Sequence, residues 1–149
     1  MRVACTAVDE QEIRIVDTVA DADARELEEA VIEFNVATTG YRDGRSLSCF
    51  LRDGSGRLYA GIDGFTWGGY AHVEYLWVDE ARRGDGLGSR LLRAAEAEAR
   101  QRGCRSITLD THEFQAPAFY VRLGYDVVGA TVDTPVGYRQ FFLQKLLAE

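Results

Sequence analysis

Residues 82–89 read R-R-G-D-G-L-G-S, a glycine-rich segment that decides which folds fit this chain. An apolar stretch ends just before it at Val78, and a helical pattern begins within it near Gly86. Glycines let a backbone approach a ligand closely, and the start of a helix exposes free N–H groups and the positive end of the helix dipole. The segment and the arginines beside it therefore predict a site for a phosphate-bearing cofactor. The residues concerned are Gly84, Gly86, Gly88, Arg82, Arg83 and Arg90.

Two familiar phosphate loops do not fit the spacing of these glycines. A nucleoside-triphosphate loop ends in Gly-Lys-Ser or Gly-Lys-Thr, and this segment has no lysine. The dinucleotide fingerprint spaces its glycines as G-x-G-x-x-G, whereas here they read G-x-G-x-G. A plain glycine turn with solvated arginines is the alternative that the segment alone leaves open.

The chain before this segment predicts a strand, a helix and an antiparallel meander. Alternating apolar and polar residues favour a strand over residues 12–17. A helix follows and ends at Gly40, and Asp23 with Glu26 resembles a capping box at its start. Its apolar residues have helical spacing: Leu27, Ala30, Val31 and Phe34. Turn sequences then separate three strands, over residues 46–52, 57–67 and 70–78.

The chain after the segment alternates helices and strands, which predicts an α/β fold on a mixed, mostly antiparallel sheet flanked by helices. Apolar residues four apart predict a core-facing helix that Gly103 ends: Leu87, Leu91, Ala95 and Ala99. Two ion pairs are expected on its exposed side: Glu96 with Arg100, and Glu98 with Arg102. Pro117 and Gly124 bracket a second helix. The remaining strands are expected over residues 106–110, 125–130 and 138–146, the first of them parallel to the strand before the long helix.

Length, composition and charge set further limits. A chain of 149 residues, 46% hydrophobic and 28% charged, fits one folded domain over residues 1–149 and excludes a disordered class. The net charge of −7 argues against a nucleic-acid partner, and the lack of a run of 18 apolar residues argues against a membrane span. We expect a cytoplasmic protein. Cys5, Cys49 and Cys104 are expected as free thiols, since neither metal-ligand spacing nor a paired set occurs.

Two separate motifs in this chain resemble those of the GNAT superfamily of N-acetyltransferases. Residues 83–88 fit its acetyl-CoA signature R-x-x-G-x-G, and residues 76–78, L-W-V, look like the fourth strand that precedes it. Residues 115–125, Q-A-P-A-F-Y-V-R-L-G-Y, resemble its later block N-x-x-A-x-x-x-Y-x-x-x-G-[FY], with Gln115 in place of the usual Asn. The resemblance covers residues 70–129.

The resemblance implies an enzyme that passes an acetyl group from acetyl-CoA directly to a primary amine, without a metal. Its parallel fourth and fifth strands, residues 70–78 and 106–110, would splay apart. The pantetheine arm would lie in that gap, and the pyrophosphate would lie on the amides of residues 83–89. The residues that would bind acetyl-CoA are Leu76, Trp77, Val78, Arg83, Gly84, Asp85, Gly86, Leu87, Gly88, Ser89, Gln115 and Tyr120.

Three residues are candidates for the chemistry of transfer. Tyr120 matches the family tyrosine near the CoA sulfur and would protonate the departing thiolate; its alternative role is packing in the core. Glu74 lies in an otherwise apolar strand, where a carboxylate is costly unless it faces a cleft, and in the family a glutamate of this strand receives the amine proton. His72 shares its face in a regular strand and is the second candidate for contact with the acceptor, although a bulge would change which of them faces the cleft.

Other polar residues near these strands carry weaker expectations. Asp110, His112 and Glu113 follow the fifth strand, and we interpret them as capping the next helix. Asp63 is a further candidate on the substrate side. Cys104 has no histidine partner in the sequence pattern, which argues against a cysteine nucleophile.

The acceptor is expected to be a small cationic amine. Residues 1–33 hold ten acidic and three basic side chains, so they carry the whole net charge of −7, and the family's first helix borders the acceptor cleft. A solvated acidic helix face explains the same pattern. The alternatives to an enzyme are a non-catalytic acyl-CoA-binding or regulatory protein and an interaction module on residues 141–143, F-F-L. Those residues fit a core strand or a homodimer interface better than an interaction module.

Overall fold

The computed structural model describes residues 13–147, which fall into two compact units. The first unit ends at Gly40 and contains α1 (Asp21–Thr39), and the second begins at Tyr41. The strands of the second unit are β1 (Arg45–Ser46), β2 (Cys49–Arg52), β3 (Leu58–Trp67), β4 (Tyr70–Val78), β5 (Ser106–His112), β6 (Asp126–Thr131) and β7 (Gln140–Leu146). Its helices are α2 (Leu87–Gln101) and α3 (Pro117–Arg122). A single domain over residues 1–149 stays a prediction.

The first unit differs from its sequence-based prediction in three ways. The strand expected over residues 12–17 is absent from Ile13 onward, and Ile13 and Ile15 are more than 90% exposed, so two alternating isoleucines without a pairing partner do not make a strand. The capping box is wrong, because α1 begins two residues before Asp23 and its N-cap, Ala20, makes no side-chain hydrogen bond. The predicted apolar positions are about half exposed or more, and Val36 is the buried residue of this helix. The end at Gly40 is confirmed, with the left-handed φ of 76° that glycine favours.

The second unit is built on one mixed sheet, as the sequence predicts. Its strands follow the order β1-β3-β4-β5-β7-β6, with β2 also paired to β3. Neighbouring strands are antiparallel except β4 and β5, which are parallel and joined through α2. The single strand expected over residues 46–52 is divided into β1 and β2, which keep the same register along β3 up to Leu51. Between them Leu47 is buried, and its N–H donates to the carbonyl of Gly64.

The core lies between one face of this sheet and α2 with α3. Leu91, Ala95 and Ala99 of the predicted stripe are buried in it together with β-strand residues such as Ile107 and Leu109. Gly103 and Gly124 follow the two helices with positive φ, and Pro117 occupies the first turn of α3, as the sequence predicts. The strand residue Leu143 is buried in the same core, which suits the core-strand interpretation of residues 141–143; a homodimer stays a prediction.

Glu96 corrects the prediction for the exposed side of α2. Both predicted ion pairs form, Glu96 with Arg100 at 3.7 Å and Glu98 with Arg102 at 2.7 Å. However, Glu96 is buried and not exposed. Its carboxylate accepts from the Tyr125 hydroxyl at 3.0 Å and from the Lys145 ammonium at 2.9 Å. A buried carboxylate held by a cation and a hydroxyl is compensated for the loss of water.

Candidate active site

The parallel strands β4 and β5 separate part of the way along their length. Their register runs from Tyr70 beside Ser106 to Val73 beside Leu109 and includes no pair beyond that point, although β4 continues to Val78 and β5 to His112. The other edge of β4 stays paired with β3 as far as Val78. The sheet therefore opens between two strands that begin as neighbours. The edge of β4 facing the opening offers backbone groups that an extended ligand can pair with.

The glycine-rich segment bends the chain from the end of β4 into α2. A short 3-10 helix, Glu80–Arg82, comes first, and the Asp79 side chain accepts from the N–H of Ala81 at its start. Gly84 and Gly86 have φ of 93° and 75°, a left-handed conformation that side chains disfavour, and a Cβ at either position would meet no heavy atom within 4 Å. Gly86 is the N-cap of α2 and offers no side-chain cap. The first N–H groups of α2 are thus open to an anion, so these residues fit a pyrophosphate.

Two arginines of this segment are held by the protein itself. The Arg83 Nε donates to the carbonyl of Val78 at 2.9 Å, which ties the segment back to β4. The Arg82 guanidinium lies over the Tyr59 ring, 4.5 Å from its centroid. Gly88 also has a packing role, since a Cβ there would lie 3.5 Å from the Phe119 ring of α3. Contact of Arg83 and Gly88 with acetyl-CoA stays a prediction.

Tyr120 lies in the core of the second unit, on the helix side of the sheet. Its ring makes edge contacts with Phe119 at 5.0 Å and Tyr125 at 6.0 Å between centroids. Burial, and secondarily the charge of Asp110, raises the pKa of Tyr120. Within residues 13–147 its hydroxyl has no hydrogen-bond partner and is not sealed from solvent. Tyr120 is therefore a neutral phenol whose proton is available for donation.

A bulge lies where β4 leaves β5. Asp63 pairs with Tyr75 and the next residue, Gly64, pairs with Val73, so Glu74 is an extra residue with no partner on β3. Before the bulge Val73 faces the core, and after it Leu76 does. Glu74 and Tyr75 are consequently both exposed. The bulge thus places the predicted carboxylate at the start of the opening.

His72 lies on the face of the sheet opposite the core, between the buried Ala71 and Val73. Its Nδ1 is 2.9 Å from the Thr108 Oγ1 of β5, and its ring lies 5.6 Å from that of Phe65. The carboxylates of Asp63 on β3 and Asp110 on β5 occur on this same face, by alternation along their strands. The opening therefore has an imidazole with acidic neighbours on the face away from the core, while Tyr120 lies on the core side of the sheet.

The turn between β5 and α3 corrects the capping interpretation. The N-cap of α3 is Ala116, without a side-chain cap, so Asp110, His112 and Glu113 do not cap this helix. Asp110 accepts from Gln140 Nε2, and Glu113 accepts from the N–H of Arg139. Gln115 instead organises the turn, since its Oε1 accepts from the N–H of His112 at 2.8 Å. That leaves the Gln115 amide donors for a ligand, and its contact with acetyl-CoA stays a prediction.

Two residues of this region have no clear signal in the sequence. Thr108 is one residue of an ordinary strand pattern, and only the parallel register brings it to His72. Gly64 reads as one more strand glycine, yet it lies directly against the carbonyl of His72.

Two further residues were considered in the sequence analysis. Asp63 accepts from the Ser48 hydroxyl. Burial raises the pKa of Cys104, which favours the thiol over the thiolate.

Within residues 13–147 no group of three or more His, Cys, Asp or Glu side chains could hold a metal ion. In the same part of the chain, no helix combines the length and the apolar composition that crossing a membrane requires.

The opening between β4 and β5, with the uncapped glycine-rich start of α2 beside it, has the arrangement that the two sequence motifs predict. The chain belongs to the acetyltransferase (GNAT) family, whose model matches residues 14–125. It is an acetyl-CoA-dependent N-acetyltransferase.

Three relatives illustrate the similarity. A blasticidin-S acetyltransferase of Streptomyces morookaense is 44% identical over 93 residues, which cover 62% of this chain and 68% of the relative. An acetyltransferase of Agrobacterium fabrum is 33% identical over 132 residues, covering 88% of this chain and 96% of the relative. The crystal structure of an acetyltransferase from Bacillus cereus superposes with a TM-score of 0.75 at 32% identity, covering 90% of this chain and 98% of that one.

Proposed function

We propose that this enzyme acetylates the primary amine of a small molecule that carries positive charge. The observation that carries the proposal is the set of carboxylates around the opening on the face opposite the core: Asp63, Glu74 and Asp110. An acidic surface attracts a protonated amine and raises its local concentration. The relative named for blasticidin-S supports a small molecule as the acceptor.

The donor side of the proposal rests on the glycine-rich segment and the free edge of β4. The open N–H groups after Gly86 would hold the pyrophosphate, and residues 76–78 of β4 would pair with the pantetheine arm. When bound, acetyl-CoA supplies an acetyl group activated as a thioester. The protein's own contribution here is orientation, which brings the acetyl carbon to the mouth of the opening.

The acceptor side needs a base, because an ammonium group has no lone pair for attack. The candidates are Glu74 and His72, which flank the bulge of β4 on the side away from the core. The acceptor nitrogen gives up two protons in all as its bond to the acetyl carbon forms and the C–S bond breaks. One proton goes to the base and then to solvent, and the other balances the proton that Tyr120 gives to the departing sulfur.

The first test of this function is thiol release from acetyl-CoA against a panel of amines. We expect thiol release with small amines that bear a second positive charge. We expect little release with amines of the same size that carry no charge besides the ammonium group itself. Release that is equal for both groups contradicts the cationic acceptor. Release with an amine-bearing peptide alone contradicts the small-molecule acceptor.

The donor site predicts a loss of acetyl-CoA affinity in Gly86→Val. The new side chain would occupy the open space above the N–H groups of α2 and block the approach of a phosphate. We expect the Kd, measured by calorimetry, to rise about 100-fold, the loss of two charge-assisted hydrogen bonds of about 1.5 kcal/mol each.

Gly56→Val is the matched control for that variant. Gly56 has a similar φ of 85° and is equally uncrowded, but it lies in the turn between β2 and β3. Both variants suffer comparable backbone strain of about 1–2 kcal/mol, so only the site distinguishes them. An unchanged acetyl-CoA affinity in folded Gly86→Val would remove the donor-site assignment.

The cationic acceptor predicts that kcat/KM for the amine falls as salt rises, with acetyl-CoA saturating. The Debye length shortens from about 30 Å at 0.01 M to about 10 Å at 0.1 M ionic strength, which screens attraction across an open surface. We expect Glu74→Gln, at the opening, to flatten this dependence more than Asp126→Asn, an exposed acid on the same face but three strands away on β6. A flat dependence in the wild-type enzyme contradicts the proposal.

A further inference from the structure

His72 and Thr108 face each other across β4 and β5 one pair before the strands separate. The register places them side by side, and the next pair, Val73 with Leu109, is the last. The His72 Nδ1 and the Thr108 Oγ1 are 2.9 Å apart, a hydrogen bond between half-buried side chains. The imidazole is therefore fixed to β5 at the place where the opening begins.

The direction of that hydrogen bond follows from a second one. The Thr108 Oγ1 also lies 3.3 Å from the carbonyl of Ala71, which is a second group that its single proton can reach. When the hydroxyl donates to that carbonyl, it offers His72 only a lone pair, and Nδ1 then carries the proton. In a neutral imidazole with Nδ1 protonated, Nε2 holds a lone pair. The chain Ala71 carbonyl, Thr108 hydroxyl, His72 Nδ1–H thus selects one tautomer.

We propose that Thr108 is a positioning residue that holds His72 in the tautomer whose Nε2 takes the proton of the acceptor ammonium. This inference rests on the proposed function and names the base that it leaves open. One proton passes from the ammonium to Nε2, which leaves a neutral amine and an imidazolium. The imidazolium then loses that proton to solvent, so no other reactant is needed.

The surroundings of His72 suit this role. Phe65 of β3 packs against the ring and limits its rotation, while Thr108 holds its other side. Glu74 differs, since no hydrogen bond within residues 13–147 fixes its exposed carboxylate. The titratable side chains of this face are Asp63 on β3, Tyr70, Glu74 and Tyr75 on β4, Asp110 and His112 on β5, and Asp126 on β6.

The tautomer is measured in the free enzyme, without any substrate. Two-bond ¹H–¹⁵N correlation spectra of the imidazoles distinguish a protonated Nδ1 from a protonated Nε2, and the chain has only two histidines, which His112→Gln separates. At a pH where His72 is neutral we expect the Nδ1–H form in the wild type and in Thr108→Ser. We expect a mixture in Thr108→Val, and in Thr108→Ala should the valine variant not fold. A protonated Nε2 in the wild type overturns the inference.

Steady-state kinetics of the same variants provides a second test. Thr108→Val is expected to lower kcat about 10- to 100-fold with the acetyl-CoA Kd unchanged, a part of the 10²–10⁴-fold that a general base contributes. Thr108→Ser should restore kcat to within a few fold, and His72→Gln should remove the acidic limb of the pH profile of kcat/KM. A wild-type kcat in Thr108→Val, or an acidic limb that persists in His72→Gln, overturns the inference. Failure of the proposed function gives a different result, namely no thiol release by the wild type with any amine.

Discussion

Tyr120→Phe is expected to lower kcat by about 10²–10⁴-fold, or about 3–5 kcal/mol in the barrier to transfer. The variant removes one hydroxyl that has no hydrogen-bond partner in residues 13–147, so the core loses little when it is gone. The leaving thiolate loses its proton donor. Because burial raises the pKa of Tyr120, the phenol stays protonated past the ordinary tyrosine range near pH 10, and its ionisation sets no limb of the activity profile below that range.

Acetyl-CoA affinity and a neighbouring tyrosine provide the controls. The Kd for acetyl-CoA should change little in Tyr120→Phe, because the hydroxyl acts as the C–S bond breaks. Tyr125→Phe removes a hydroxyl from the adjoining ring, but one that donates to the buried Glu96. We expect Tyr125→Phe to lose stability and to keep kcat. If Tyr120→Phe turns over its acceptor at the wild-type rate, Tyr120 has only a packing role.

Gly64→Ala is expected to destabilise the protein by about 3 kcal/mol or more, at the upper end of the cost of overpacking. The new Cβ would lie in direct conflict with the backbone carbonyl of His72 and 3.1 Å from the Cα of Val73, and backbone atoms cannot turn aside as a flexible side chain can. For a chain of this size the midpoint of thermal unfolding should fall by about 6–12 °C.

Gly129→Ala is the matched control in another strand. A Cβ at Gly129 would meet the Phe142 ring at 3.8 Å, an ordinary contact, so we expect a change within about 1 kcal/mol. Denaturant unfolding of both variants measures the difference. Equal stability of Gly64→Ala and the wild type would show that β3 does not approach β4 so closely. A folded Gly64→Ala enzyme should also lose activity, because β4 must shift at His72 and at the bulge.

The second half of the chain could be predicted more closely than the first, because the boundaries of its helices are set by local residues. Gly103 and Gly124 permit the positive φ at which α2 and α3 end, and Pro117 fixes φ in the first turn of α3, so these helix boundaries are encoded where they occur. The strand expected over residues 12–17 depended instead on a pairing partner that no local pattern identifies. The prediction that Glu96 is exposed was wrong for the same reason. The Lys145 ammonium that pairs with this buried carboxylate comes from 49 positions along the chain.

The candidate site divides in the same way. The glycine-rich helix start and Tyr120 belong to motifs and could be named from the sequence. The geometry around His72 could not, because it depends on which residue of β5 stands beside which residue of β4. A shift of one residue in that register would put Leu109 beside His72 in place of Thr108 and leave Nδ1 without an acceptor. Likewise Glu74 could be named from the sequence, but its position at a bulge depends on how β4 pairs with β3, where Asp63 stands beside Tyr75 and Gly64 beside Val73.

Lys145, held between Glu96 and the carbonyl of Leu123, has a practical consequence for an enzyme that acylates amines. It is the only lysine among the 149 residues, and its ammonium donates to both of these groups at 2.9 Å. An ammonium engaged in this way is a poor nucleophile, because it must first break an ion pair and lose a proton. The enzyme therefore offers almost no lysine target for its own reaction. Acetyl-CoA turnover measured with an added amine should carry little background from self-modification, and lysine-directed cross-linking or immobilisation should be inefficient.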